Sequence, residues 1–168
     1  EKKAVGCSVV LQTTDSTQLF ELFSEMHFTR VAVEASRMNL AQYARICNTL
    51  EPMAVLADST LDNLIAGLRS VKQPDEIEKI RAAQAITEQA FSHICDFIKP
   101  GKTEREVSLE LDFFMLHHGA EALSFETIAV SGENGSMPHG VPGSRKIQAG
   151  DFVTMDFGAV VDGYHGTI

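Results

Sequence analysis

The chain has 168 residues, of which 44% are hydrophobic and 22% charged, a composition that is ordinary for a globular protein of one domain or two small ones. The formal net charge of −9 excludes the basic surface with which proteins bind duplex nucleic acid or an anionic membrane. The three cysteines, Cys7, Cys47 and Cys95, lie too far apart for a disulfide framework or a zinc knuckle. We interpret them as buried, reduced thiols, which favours a reducing compartment such as the cytoplasm.

Residues 1–72 alternate between predicted strands and predicted helices. Hydrophobic runs and helical spacing predict strands at 5–12, 30–34 and 53–57, with helices capped by Ser16 and over about residues 38–50 and 60–68. This alternation indicates an α/β layer with a parallel sheet. Because three strands make only a thin sheet, we expect residues 1–72 to be an incomplete N-terminal α/β domain.

The remaining residues, 73–168, predict a different order of elements. Pro74 favours the first turn of a long helix over about residues 75–98, which carries one apolar stripe. The predicted elements that follow are a helix that begins with a capping box at 103–106 and stops at Gly119, a strand at 125–130, and a hairpin at 153–168 that turns at Asp162-Gly163. Two helices followed by strands indicate an α+β domain, so the sequence predicts two domains.

The loop between the predicted strands, SGENGSMPHGVPGSRKI, contains a candidate functional histidine. His139 lies between Pro138, which restricts the backbone, and Gly140, which allows it unusual conformations. Loops on a rigid scaffold often carry function, although a plain surface loop would have the same glycines and prolines. From composition alone, both interpretations stay open.

Asp156 is the second candidate, because aspartate is depleted in strands and this one lies between Met155 and Phe157. A carboxylate inside an apolar strand is costly unless it is paired or binds a metal. The residues leave two alternatives open: Asp156 is a metal ligand, or it forms a structural ion pair with Arg145 or Lys146.

Three segments together resemble the pita-bread family of proline-specific peptidases, the Xaa-Pro aminopeptidases and Xaa-Pro dipeptidases. They are QPDEIEKIRAAQAITEQAF, PGKTEREV, and the run from SGENGSMPHGVPGSRKI to QAGDFVTMDFGAVVDGY. The resemblance implies that residues 1–72 are part of a creatinase-like N-terminal domain. It also implies that residues 73–168 are the first half of a pita-bread catalytic domain, truncated after Ile168.

The resemblance also implies roles for both candidates. His139 matches the histidine that contacts substrate and helps to stabilise the tetrahedral intermediate, and Asp156 matches the first metal-ligand aspartate. The complete family site uses two divalent ions, commonly manganese, cobalt or zinc, which can activate a water and polarise the scissile carbonyl. The implied partners are short peptides with proline at the second position, and a homodimer is expected.

One position departs from the family pattern. The family has a second ligand aspartate where this chain has Thr167, and its remaining ligands, a histidine and two glutamates, have no counterpart here. Three functions therefore stay open: a Xaa-Pro peptidase, a non-catalytic pita-bread binding protein, and a creatinase-like C–N hydrolase, which works without metal.

Overall fold

The computed structural model describes Thr13 and residues 17–168. The predicted strand at 5–12, the predicted cap Ser16 and Cys7 lie outside the described residues. The chain divides into two compact units, Glu1–Val71 and Lys72–Ile168. No helix among the described residues has both the length and the apolar character of a membrane span.

The first unit is a small α/β layer. Its elements in chain order are α1 (Gln18–Glu25), β1 (Arg30–Ala32), a 3-10 turn (Ala35–Arg37), α2 (Leu40–Leu50), β2 (Ala54–Leu56) and α3 (Ser59–Ser70). Strands β1 and β2 are parallel, with Val31 opposite Val55, so the predicted parallel pairing is confirmed. Helix α2 begins later than predicted, because Asn39 forms a capping box with Gln42.

The second unit begins with two long helices, α4 (Pro74–Phe97) and α5 (Glu104–His117). Both follow the sequence signals. Pro74 occupies the first turn of α4, and the predicted capping box at the start of α5 is confirmed: Thr103 Oγ1 accepts from the Glu106 amide at 3.1 Å, while a Glu106 carboxylate oxygen accepts from the Thr103 amide at 2.7 Å. Gly119 ends the helix with a φ of 102°, which favours glycine.

Five short strands follow: β3 (Ala122–Leu123), β4 (Ile128–Ser131), β5 (Val153–Asp156), β6 (Ala159–Val161) and β7 (Tyr164–His165), with a 3-10 turn at Gly132–Ser136. They form two antiparallel groups, β4-β5 and β3-β6-β7. The turn at Asp162-Gly163 is confirmed, with φ of 50° and 79°. However, the predicted hairpin from 153 is wrong in its first arm, because β5 pairs with β4 and the chain changes sheets at Phe157–Gly158.

The core of the second unit lies where the two helices cover the strands. Its fully buried side chains come from both helices and from the sheet change: Ala90, Ile94, Val107, Leu111, Met115 and Phe157. Burial of a large apolar side chain contributes about 1.5–3 kcal/mol. Gly166 allows the last residues to reach this core, because a Cβ there would lie 2.6 Å from the backbone carbon of Ala83 on α4.

The cysteines differ from our interpretation. Cys47 on α2 is half-buried and Cys95 on α4 is exposed. Cys95 directly follows the fully buried Ile94, so the helix turns its thiol away from the core. The prediction of a buried thiol is wrong for Cys95.

Candidate active site

A cavity of about 480 Å³ lies within the second unit and brings both candidate residues together. Residues 125–128, which lead into and begin β4, form one side of it, and the loop residues 139–142 form another. Asp156, the last residue of β5, completes the lining. His139 and Asp156 are 17 residues apart in sequence, and the pairing of β4 with β5 brings the segments that carry them to the same cavity.

Asp156 is exposed at the end of β5, opposite Ile128. Exposure alternates along the strand, with Val153 and Met155 half-buried, so Asp156 lies on the exposed face rather than inside an apolar layer. Its Oδ1 accepts a hydrogen bond of 3.3 Å from Thr167 Oγ1. An exposed carboxylate needs no buried partner, so the cost of burial that drew attention to it in the sequence does not apply.

The structural ion pair considered for Asp156 does not form. Arg145 binds Asp151 instead, with 2.7 Å between Nη1 and Oδ2, and within the described part of the chain no ion pair joins Asp156 to Arg145 or Lys146. Arg145 also lowers the pKa of the Asp151 carboxyl by hydrogen bonding to it. Among the described residues, Asp156 therefore forms no ion pair with either of these two side chains.

His139 is exposed on the loop that follows the 3-10 turn. The next residue, Gly140, is buried against β4, and a Cβ at Gly140 would come within 3.0 Å of Val130 Cγ1. The Gly140 amide also donates to the Met137 carbonyl at 3.1 Å. The loop is thus pressed onto the strand immediately beside His139, while the histidine ring stays accessible from the cavity.

A buried carboxylate, Glu104, lies at the base of this loop. Glu104 is 1% exposed at the first position of α5, and its oxygens accept hydrogen bonds from Ser131, Asn134 and Gly143. Burial by itself raises the pKa of this carboxyl, but the hydrogen bonds from Asn134, Ser131 and Gly143 outweigh burial and hold the pKa below its ordinary value. Glu104 is therefore ionised in the folded protein at neutral pH.

A second carboxyl supports the cavity wall. Asp112 on α5 is half-buried, and its Oδ1 accepts from Thr127 Oγ1 at 2.5 Å. Burial raises the pKa of Asp112, and the hydrogen bond from Thr127 offsets only part of this effect. Because Thr127 lines the cavity, Asp112 helps to fix the part of the wall that Thr127 forms.

The cavity offers few of the ligands that a metal centre requires. Asp156 offers carboxylate oxygens, which suit hard divalent cations, and Thr167 beside it offers a neutral hydroxyl. Over residue 13 and residues 17–168, no group of three histidine, cysteine, aspartate or glutamate side chains could hold an ion. These residues do not fit a complete two-ion centre.

Sequence reasoning missed Glu104 and Asp112. In the sequence, Glu104 is one of two acidic residues in the first turn of a helix, and Glu106 alone accounts for the capping signal. Asp112 reads as a polar residue on an amphipathic helix. Their burial arises from segments at least 15 residues away in sequence, which no local pattern reports.

Comparison with known proteins gives this geometry its context. The profile of Metallopeptidase family M24 matches residues 78–168, more than half of the chain. A Bacillus subtilis protein named as the uncharacterized peptidase YqhT is 36% identical over 162 residues, which are 95% of this chain and 42% of that protein. The Xaa-Pro dipeptidase of Pyrococcus furiosus is 36% identical over 126 residues, which are 75% of this chain and 36% of that enzyme.

Solved structures agree with the sequence matches. The Xaa-Pro dipeptidase from Bacillus anthracis superposes with a TM-score of 0.92 at 34% identity, over 99% of this chain and 46% of that one. The X-Pro aminopeptidase from Thermotoga maritima gives a TM-score of 0.84 at 30% identity, over 94% and 44%. The chain thus spans less than half the length of these relatives and has the pita-bread peptidase fold over that part, which confirms the expected fold class. It belongs to Metallopeptidase family M24.

Proposed function

We propose that this chain is part of a metal-dependent exopeptidase that hydrolyses the Xaa-Pro bond at the N-terminus of short peptides. The observation that carries the proposal is the shared cavity of His139 and Asp156. Family membership and the names of the relatives, Xaa-Pro dipeptidase among them, support the reaction class. The activity, the substrate and the partners belong to the whole protein, of which its relatives suggest this chain to be a portion.

The cavity has the size and chemistry for a short peptide. Its volume of about 480 Å³ lies in the range of roughly 300–1,000 Å³ that is usual for small-ligand pockets. Phe125, Val141 and Pro142 give it an apolar side, which suits the ring of a proline residue. Two of its polar residues, His139 and Asp156, would then orient the peptide backbone beside it.

We assign separate roles to the two polar residues. The exposed imidazole of His139 would donate a hydrogen bond to the carbonyl oxygen of the scissile bond, which becomes negatively charged as the carbonyl carbon turns tetrahedral. The carboxylate of Asp156 would supply an oxygen ligand to a divalent cation. Such a cation would provide a polarising charge when bound, but no group of three ligating side chains among the described residues completes its site.

One observation favours a second function, a non-catalytic pita-bread protein that binds a partner. Thr167 stands beside Asp156 at the position where the family resemblance places another aspartate. A neutral hydroxyl cannot replace a carboxylate that bridges two cations. The retained His139 and Asp156 support the peptidase instead, so the two functions differ in whether Asp156 binds metal.

We also propose a homodimer, which follows from the family resemblance, and a cytoplasmic location, which the free thiols of Cys47 and Cys95 support. Sedimentation of the purified chain at several concentrations tests the dimer. A sedimentation coefficient that stays at the value of a monomer over the whole range contradicts it.

The deciding experiment is a calorimetric titration of Mn²⁺ into the chain and into two variants. Asp156→Asn removes the proposed ligand, and Asp162→Asn is a control of equal charge in a turn that asparagine readily adopts. Because no group of three ligating side chains exists among the described residues, we expect the wild type and D162N to bind Mn²⁺ only weakly and D156N to lose that binding. If all three proteins behave alike, Asp156 is not a metal ligand and the binding-protein alternative is favoured.

Peptide cleavage then tests the substrate class. In the whole protein with Mn²⁺ present, we expect an Ala-Pro peptide to lose its first residue faster than the matching Ala-Ala peptide, and His139→Ala to slow the reaction without changing metal binding. Equal rates on the two peptides contradict the proline specificity.

A further inference from the structure

We propose that Glu104 is a positioning residue for His139: its buried carboxylate fixes both ends of the loop that carries the histidine. The role of His139 rests on the proposed function, whereas the clamp itself is a property of the fold. Glu104 does not line the cavity, so it acts through the loop and not on a bound peptide.

The carboxylate reaches three points of the loop. Oε1 accepts from the Ser131 amide at 2.8 Å and from Asn134 Nδ2 at 3.0 Å, and Oε2 accepts from the Gly143 amide at 3.1 Å. Ser131 begins the loop, Asn134 lies in its 3-10 turn, and Gly143 lies on the returning side. His139 is between the last two points, so a single side chain closes the segment on both sides of it.

The backbone at the start of α5 reinforces the clamp. The Glu104 amide donates to the Arg145 carbonyl at 3.1 Å, and the Arg105 amide donates to the Gly143 carbonyl at 3.0 Å. Ser131 Oγ, which lies 3.0 Å from Glu104 Oε1, also accepts from Arg145 Nη1 at 2.7 Å. The returning side of the loop is therefore bound to the helix N-terminus through both backbone and side chains.

Helix capping alone does not explain why the Glu104 carboxylate is buried. The capping positions of α5 are filled by Thr103 and Glu106, which bond to each other's backbone amides. Glu104 is 1% exposed, although an unpaired carboxylate there would be strongly disfavoured. Its hydrogen bonds go to the loop instead, so the loop is what the buried charge organises.

The exposed stretch around His139 needs such a clamp. Residues 136–139 are exposed and contribute little to the core, so the direction of the imidazole depends on where the loop ends are held. Gly140, packed on Val130, and the Glu104 hydrogen bonds are among the contacts that hold those ends. Loosening the clamp should let His139 swing away from the cavity while the helices and strands remain folded.

Amide hydrogen exchange tests the clamp directly. Glu104→Gln keeps the size of the side chain but places amide hydrogens against the Asn134 and Gly143 donors. Glu106→Gln is the matched control, since it removes one negative charge from the same helical turn and keeps an acceptor for the cap. We expect E104Q to raise exchange in 132–143 at least about tenfold, with little change in E106Q or at the core residue Leu111.

The spectrum of the His139 ring supplies a readout that a purely structural role would not move. In E104Q we expect the ring carbon and proton signals of His139 to shift toward those of a mobile histidine, while those of His93, on α4, stay in place. Loop exchange and a His139 spectrum that match those of E106Q would overturn the proposal. Should E104Q fail to fold, Asn134→Ala removes one side of the clamp and decides the question by the same two measurements.

A separate experiment with Mn²⁺ distinguishes failure of the Glu104 clamp from failure of the proposed function. Mn²⁺ added to the wild type should broaden the His139 signals if Asp156 binds the ion near the same cavity, and D156N should abolish the broadening. Absence of broadening in the wild type refutes metal binding by this chain, and the exchange data still decide whether Glu104 positions the loop.

Discussion

Thr87 on helix α4 offers the sharpest test of how the second unit is held together. The side chain is fully buried, and its hydroxyl donates to the Ala83 carbonyl at 3.1 Å while accepting from the Ala159 amide at 3.2 Å. Ala159 begins β6 and is itself fully buried. The hydroxyl is therefore the hydrogen-bond partner that α4 offers to a strand 72 residues away.

Thr87→Val replaces the hydroxyl with a methyl group of similar size, so the packing is kept and the hydrogen bond is lost. A buried amide left without an acceptor costs about 1–3 kcal/mol. With a urea dependence of about 2 kcal/mol per M, which is usual for a small domain, the unfolding midpoint should fall by roughly 0.5–1.5 M.

Urea titrations followed by far-UV circular dichroism measure this shift, and exchange of the Ala159 amide localises it. Thr87→Ser is the control, because it keeps the hydroxyl and removes only a buried methyl, at about 0.5–1.5 kcal/mol. A T87V protein that unfolds at the same urea concentration as the wild type, with unchanged exchange at Ala159, would refute the reasoning.

Three further predictions concern charge and glycine. Folding lowers the pKa of Glu104, so the ionised carboxylate stabilises the protein fully above its ordinary pKa, and this contribution is lost as the pH falls through the lowered pKa. The free energy of unfolding should therefore decline less in E104Q than in the wild type between about pH 5 and pH 3. The pKa of Asp112 is raised by burial, so its ionised form destabilises the folded protein at pH 7. Asp112→Asn, which can still accept a hydrogen bond from Thr127, should therefore raise the melting temperature at pH 7. Gly166→Ala should lower the free energy of unfolding by about 1–3 kcal/mol, because the new methyl group would clash with α4. Gly67→Ala on helix α3, where a methyl group meets open space, should raise it by about 0.5–1 kcal/mol in the same urea assay.

Local signals account for the parts of the fold that the sequence predicts well. The boundaries of α4 and α5 follow from Pro74, from the Thr103–Glu106 capping box and from Gly119, all of which act within one helical turn. The turn at 162–163 is equally local. In each case the chemistry that fixes the element lies beside it in the chain, so it is visible without the tertiary structure.

Strand partners were harder to predict because they depend on distant segments. The alternating residues from Val153 onward favour a strand but contain no information on its neighbour. The structure pairs β5 with β4 and transfers the chain at Phe157, whose ring is fully buried in the core. The short strand β3, with two residues, gives no period that a pattern could detect.

In the candidate site, too, some residues can be found from their neighbours in sequence and others only from distant contacts. His139 and Asp156 were singled out from their neighbours in the sequence and assigned by resemblance, and they do line one cavity. Asp156 is exposed, so the expectation that its carboxylate lies inside an apolar strand is wrong. Glu104, which is buried, was read as a helix-start residue, because burial depends on a loop that lies later in the chain.

The order in which this chain is synthesised gives the Glu104 network a further consequence. Its partners Ser131, Asn134 and Gly143 follow it by 27, 30 and 39 residues. During translation, which runs from the N-terminus, the carboxylate cannot exchange water for its full set of partners until the chain has grown past residue 143. The first turn of α5 and the His139 loop should therefore reach their native burial in a single late step, after the helix pair has begun to form from nearby contacts.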